Sequence, residues 1–218
     1  EKFVASAGSP RTRSEGDENM AFWPEAAFIL GSWFMARGIE LSAAAGKHML
    51  VDRTAMVVGW ALPASKNDIK ALRQERTISC SCGAIAATDY TCPVHLAITY
   101  LEARRVYLSE RGFTDLEDLP LFPNFDGEVL THEQLKTTMK QAAAHVGDKI
   151  EKRVNGEVKE ADSEHVTRVS GAQFLYRLGL SKDTIKTVGR WSSHAVDAYL
   201  QDAPAGRPIA IGGSSSVQ

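Results

Sequence analysis

Helical spacing of apolar residues dominates this chain and is interrupted once by a β-rich stretch. From Pro24, a favoured first helical residue, apolar side chains at Ala26, Phe28, Ile29, Leu30 and Phe34 predict a helix. A short second helix is predicted from Gly38 to about Ala45, with Gly46 ending it. His48–Val51 and Ala55–Leu62 are then rich in β-branched and apolar residues. Asp52-Arg53-Thr54 between them reads as a tight turn, so together they predict a hairpin. Pro63–Arg73 reads as a charged loop, and Arg76–Ser81 as a returning third strand. Everything beyond reads as helical. Pro93 opens a run to about Arg111, and Thr131 with Gln134 forms a capping box for a helix through Ala144. A further helix begins near Ser163 and stops at Gly179; Ser181 caps the next, which Gly189 ends. The expected class is mainly α with a small antiparallel β-sheet (α+β).

The ends have a different character. Residues 1–20 are polar and read as a linker from a missing upstream region; opening at Glu1, the chain reads as a piece of a longer protein. Residues 203–218 run into Gly-Gly-Ser-Ser-Ser and read as a flexible tail, which leaves one domain over 21–202.

At 218 residues the chain can build one sizeable core, and 44% hydrophobic with 24% charged residues is ordinary for a globular domain. Apolar stretches such as Ala26–Leu30 fall far short of the ~20 residues needed to cross a bilayer. The formal net charge of −2 lends no support to nucleic-acid binding, which usually announces itself with a basic balance. Basic residues do cluster locally, at Lys66, Lys70, Arg73 and Arg76 and at Lys149, Lys152 and Arg153. From composition alone, a solvated face is the favoured reading of such clusters.

Chemistry concentrates in residues 165–199, HVTRVSGAQFLYRLGLSKDTIKTVGRWSSHAVDAYL. His165 and Arg168 lie three apart on the predicted helix, so both should project from one face, beside an apolar stripe of Val169, Ala172, Leu175 and Leu178. An H-x-x-R pair, a Gly-Ala step, L-G-L, a G-x-W box and then a tyrosine follow one another in that order. This resembles the C-terminal active-site region of tyrosine recombinases (the phage integrase family). The G-R-W-S-S…Y wording is closest to recombinases of eukaryotic mobile elements of the crypton type. The resemblance implies a DNA breaking–rejoining catalytic-domain fold and two further residues upstream. Arg37 in F-M-A-R-G-I-E-L, with Glu40 three positions later, matches the arginine at a junction of two early helices; Lys66, after the Ala55–Leu62 strand, matches the hairpin lysine. In one respect the chain departs from many relatives. Trp191 precedes Tyr199 by eight residues rather than nine, and Arg190 has the nine-residue spacing.

On that resemblance Tyr199 is the nucleophile, Arg37 and Arg168 bind the non-bridging phosphate oxygens, His165 accepts a proton or hydrogen-bonds the phosphate, and Lys66 protonates the leaving 5′ oxygen. Trp191 offers its indole N–H. Glu40 orients its neighbours, and Arg190 shares the box contact. Each role has a physical reason: a phenol of pKa about 10 needs help to ionise, and guanidinium forks match developing phosphate charge. A phosphotyrosine conserves the energy of the broken bond, so no cofactor is expected for catalysis. The implied partner is double-stranded DNA, held by a homotetramer when the protein is full length, with no membrane involved. An intracellular setting follows, and a nuclear one if the likeness to eukaryotic elements holds. A non-cleaving DNA-binding module derived from a recombinase, and a type IB topoisomerase-like enzyme, remain as alternatives, with a zinc-stabilised interaction domain as a third.

All three cysteines fall in one window, C-S-C-G-A-I-A-A-T-D-Y-T-C-P-V-H, read as an insertion at 80–95. Cys80, Cys82, Cys92 and His95 supply three sulfurs and an imidazole, a complete tetrahedral set for structural Zn²⁺. An odd cysteine count argues against a disulfide framework, and free thiols in a reducing compartment are the other reading.

Overall fold

The structure, a computed structural model, describes residues 17–61, 75–82, 92–146, 151–154, 157–160, 165–191 and 195–201. Helix α1, Pro24–Trp33, begins at its proline as expected and is buried along its whole length. It is the central element: the helices over Pro93–Ser109, His132–Val146 and Val166–Arg177 pack against it, and Trp23, Ala26, Leu30 and Phe34 are all fully enclosed. Packing already includes Met20, at 2% exposure, just after a 3₁₀ turn over Asp17–Asn19.

Helix α2, Gly38–Ala43, is shorter than its sequence predicts. Ala44 turns extended because its carbonyl accepts from Leu121 N at 2.6 Å, and Gly46 N donates to Leu119 O at 2.9 Å. Backbone pairing with the 119–121 segment thus wins over helix continuation. Strands β1 (Met49–Asp52), β2 (Val57–Ala61) and β3 (Glu75–Ser79) form an antiparallel sheet in the order β1-β2-β3. The β1–β2 turn is longer than expected. Asp52 Oδ1 accepts from Thr54 N and Ala55 N at 2.8 Å each, which holds the turn until Met56, so β2 starts at Val57 rather than Ala55. Met49 pairs with Trp60 and Trp60 with Arg76, so these three share the inward face. The Pro63–Arg73 loop, Lys66 included, lies outside the described residues.

Helix α3, Pro93–Ser109, packs beside the sheet and carries Tyr100 into an aromatic cluster with Phe22, Trp23, Phe122 and Trp60. Helix α4, His132–Val146, has the predicted capping box: Gln134 N donates to Thr131 Oγ1 at 3.2 Å and Thr131 N to Gln134 Oε1 at 3.0 Å. Between α4 and the next helix the reading of everything beyond the third strand as helical fails. Strands β4 (Glu151–Val154) and β5 (Glu157–Glu160) pair as a second antiparallel hairpin. The intervening residues are Asn155-Gly156, a dipeptide suited to the left-handed dihedrals of a two-residue hairpin turn, and this signal outweighs any helical spacing there.

Helix α5 spans Val166–Arg177, followed by Gly179 at φ 88° as the predicted stop. Helix α6, Lys182–Gly189, is capped by Ser181 Oγ accepting from Thr184 N at 3.1 Å, and α7 covers Ala195–Gln201. The result is a mainly helical domain with small antiparallel sheets, the class the sequence implies. Among the described residues, no helix is long and apolar enough to cross a membrane.

Candidate active site

Three segments distant in sequence converge where α1 ends. Met35 takes a left-handed conformation (φ 45°) that stops α1, and Arg37 opens α2 in an extended one. Helix α5 crosses α1 at close range. A Cβ on Gly171 would stand 2.1 Å from Ser32 O, so only glycine lets the two backbones meet there. The next turn of α5 is tied to the α1–α2 junction by Thr167 Oγ1, which donates to Ala36 O at 2.7 Å. Arg168 is thereby carried to Arg37.

Glu40 is the counter-charge at this junction. Its side chain is completely buried, its Oε2 accepts from Arg37 N at 2.8 Å, and its Oε1 accepts from Arg37 Nη1 at 3.2 Å and Arg190 Nη2 at 2.5 Å. Arg168 is 3% exposed; its Nη2 donates to Gly189 O at 2.6 Å while Nη1 is buried without a partner. Its Cζ lies 4.5 Å from the centroid of the Trp191 ring, a cation–π contact. The Trp191 ring in turn lies 5.8 Å from that of Tyr199, inclined at 54°. Gln173 Nε2 donates to Tyr199 O at 3.2 Å, fastening α7 to α5.

The C-terminal stop of α6 corrects a detail of the sequence reading. Gly189 is the last helical residue, and the left-handed position falls on Arg190 at φ 55°. Glycine is needed at 189 for space: an added Cβ would sit 2.0 Å from Trp191 Cζ3. Arg190 reaches Glu40, so it is Trp191 that meets Arg168 despite its eight-residue spacing from Tyr199.

The sequence-predicted residues Arg37, Glu40, Arg168, Arg190, Trp191 and Tyr199 therefore gather at one place. His165 does not join their buried cluster. It is the N-cap of α5, exposed, with its carbonyl accepting from Arg168 N and Val169 N at 3.0 Å; the i,i+3 pair is split between solvent and interior rather than displayed on one face. Lys66 lies outside the described residues.

One member was missed. Arg76, on β3, donates through Nη1 to Phe34 O, and its Nη2 is buried without a partner. Burial, then the charge of Arg190, pushes its guanidinium down to about 9, with Glu40 opposing and Arg168 and Arg37 adding to the fall. Burial and then Arg37 likewise push Arg168 down to about 10, with Tyr199 among the groups that oppose this. Among the described residues, four guanidiniums thus surround a single carboxylate, an excess of positive charge that favours an anion. The alternation in E-R-T-I-S, which puts Arg76 on the same side as Ile78, was the signal available in the sequence.

A second cluster lies at the sheet's end. Cys80, Cys82, Cys92 and His95 bring their ligand atoms within 4.8 Å of one another. Cys80 Sγ is 3.2 Å from Cys82 Sγ and 3.6 Å from Cys92 Sγ, and Cys82 Sγ is 3.1 Å from His95 Nδ1. Metal–sulfur bonds of ~2.3 Å imply tetrahedral edges of about 3.8 Å, so a small expansion fits a metal ion. Burial raises the Cys92 thiol, but the amides of His95 and Val94 at the start of α3, and of Ser81 just after β3, outweigh it and bring it down to about 6.

The sequence matches no family model and no curated protein. The fold does match solved structures. It is similar to XerH site-specific recombinase bound to palindromic difH substrate in a post-cleavage complex, with TM-score 0.56 and 16% identity over 93% of this chain and 47% of that one. The same recombinase on difH substrate in a pre-cleavage complex matches with TM-score 0.56 and 15% identity over 91% and 47%. The chain spans about half the length of these relatives. A mainly helical body, a three-stranded antiparallel sheet and this likeness together show a tyrosine recombinase catalytic-domain fold.

Proposed function

We propose that this chain cleaves and rejoins DNA through a 3′-phosphotyrosine intermediate, serving site-specific recombination or integration. The observation that carries the reading is the guanidinium cluster: Arg168, buried with an unpaired Nη1, lies under Trp191, whose ring contacts that of Tyr199. A nucleophile and a receptor for phosphate oxygens are adjacent.

In this mechanism Tyr199 Oη attacks the scissile phosphorus, forming the O–P bond as the bond to the 5′ oxygen breaks. His165 takes the phenol proton from its exposed position at the start of α5. Lys66 gives a proton to the departing 5′ oxygen. Arg37 and Arg168 stabilise the charge that grows on the non-bridging oxygens, held by Glu40 and by Gly189 O respectively. Attack by a 5′ hydroxyl on the phosphotyrosine reverses the step and seals a strand. Double-stranded DNA is the substrate, a homotetramer the working assembly, and a eukaryotic mobile element of the crypton type the context that the residue wording favours. Cys80, Cys82, Cys92 and His95 hold a structural Zn²⁺ in this reading. It would pin the end of β3 to the start of α3 and so steady the neighbouring Lys66 loop.

The test is incubation with supercoiled plasmid and denaturing detection of covalent protein–DNA adducts, for the parent and Tyr199→Phe. Adducts in the parent that vanish in the variant support the reading. Adducts that persist remove Tyr199 as nucleophile, and DNA binding without adducts in the full-length protein favours a non-cleaving module. Relaxation without exchange between two duplexes would point to a topoisomerase.

A further inference from the structure

We propose that Arg76 is a third phosphate-binding guanidinium of this site, donating through Nη2 to an oxygen of the same phosphate that Arg37 and Arg168 receive. The inference rests on the functional reading above and adds a residue it does not use.

The backbone register makes the case first. Arg76 is paired with Trp60, which is fully buried, so its side chain leaves the inward face of the sheet. Its neighbours Glu75 and Thr77 point outward and are exposed. A charged side chain sent inward must find partners. Arg76 finds one, Phe34 O at the end of α1, three residues before Arg37. That contact satisfies Nη1 and accounts for a helix-capping role. It leaves Nη2, which is buried and has no acceptor among the described residues.

Glu40 does not fill the gap, because both of its oxygens are taken by Arg37 and Arg190. Two other donors are in the same condition: Arg168 Nη1 and Arg190 Nε are also buried without partners. Three unpaired N–H groups on three side chains around one carboxylate call for an acceptor with several oxygens and negative charge. A tetrahedral oxyanion supplies both, and a phosphodiester in DNA presents two such oxygens. Burial first, and then the charges of Arg190, Arg168 and Arg37, depresses the proton affinity of Arg76, and an anion offsets the part due to those charges.

The test uses inorganic sulfate as probe, in thermal melts of the whole chain titrated at constant ionic strength against chloride. The parent should gain melting temperature with sulfate beyond chloride, from which an apparent Kd follows. In Arg76→Gln that Kd should rise about tenfold or more, the loss expected of one charge-assisted hydrogen bond. Arg76→Lys, which keeps the charge and a donor for Phe34 O, should fall between, and it decides the matter if the glutamine variant does not melt cooperatively. Variants that melt lower but bind sulfate with the parental Kd overturn the proposal and leave Arg76 a helix cap. A parent with no sulfate-specific gain removes the anion site itself, and the functional reading fails with it.

Discussion

Glu40→Gln probes the site's electrostatics most directly. The substitution keeps the shape and one acceptor for Arg37 N but removes the one carboxylate that, among the described residues, faces Arg37, Arg76, Arg168 and Arg190. Breaking a buried ion pair by removing one partner costs about 3–5 kcal/mol. Two features reduce this: glutamine can still cap α2, and the side chains of Arg37 and Arg190 are 25% and 17% exposed, so water shares in their solvation. About 2–3 kcal/mol is therefore expected, and for a domain of this size ~1 kcal/mol moves the melting temperature by ~2–4 °C. Scanning calorimetry should show a fall of about 5–10 °C. Sulfate should narrow the gap, because an anion bound among the guanidiniums replaces part of the missing charge. A melting temperature within about 2 °C of the parent refutes the reasoning, since it would mean the four arginines do not depend on Glu40 for compensation.

Three further predictions follow from local geometry. Gly189→Ala places a Cβ 2.0 Å from Trp191 Cζ3; the ring must leave Arg168, at an overpacking cost of about 1–3 kcal/mol and with loss of DNA adducts. Gly179→Ala is its control: at φ 88° with nothing within 4 Å it should cost ~1 kcal/mol in backbone strain, by denaturant titration, and leave adduct formation intact. For the cysteine cluster, elemental analysis should find one zinc per chain, lost in Cys92→Ser, and chelation should lower the melting temperature; a metal-free protein indifferent to chelator would sink the zinc reading.

Local chemistry explains which parts of the fold could be read early. Pro24 as a helix start, the Thr131–Gln134 box and the Ser181 cap depend on residues within one turn of each other, and each forms as its sequence predicts. The second hairpin was legible too, through Asn155-Gly156, but helical expectation on both sides masked it. The early end of α2 was not legible, because it depends on hydrogen bonds to Leu119 and Leu121, more than seventy residues away.

The sequence by itself determined the types and order of the site's residues: an arginine and a glutamate three apart, H-x-x-R, G-x-W and a late tyrosine. Position in the chain cannot say which way a side chain turns once helices cross. Tertiary packing alone buried Arg168 while leaving His165 in solvent, because α5 enters its close crossing with α1 between the two. Packing also assigned Arg190 to Glu40 and Trp191 to Arg168, and it turned Arg76 inward beside them. The physical reason is range. Caps and turns are settled within a few residues, whereas the field of four guanidiniums around one carboxylate exists only after residues 37, 76, 168 and 190 have been folded onto the same spot.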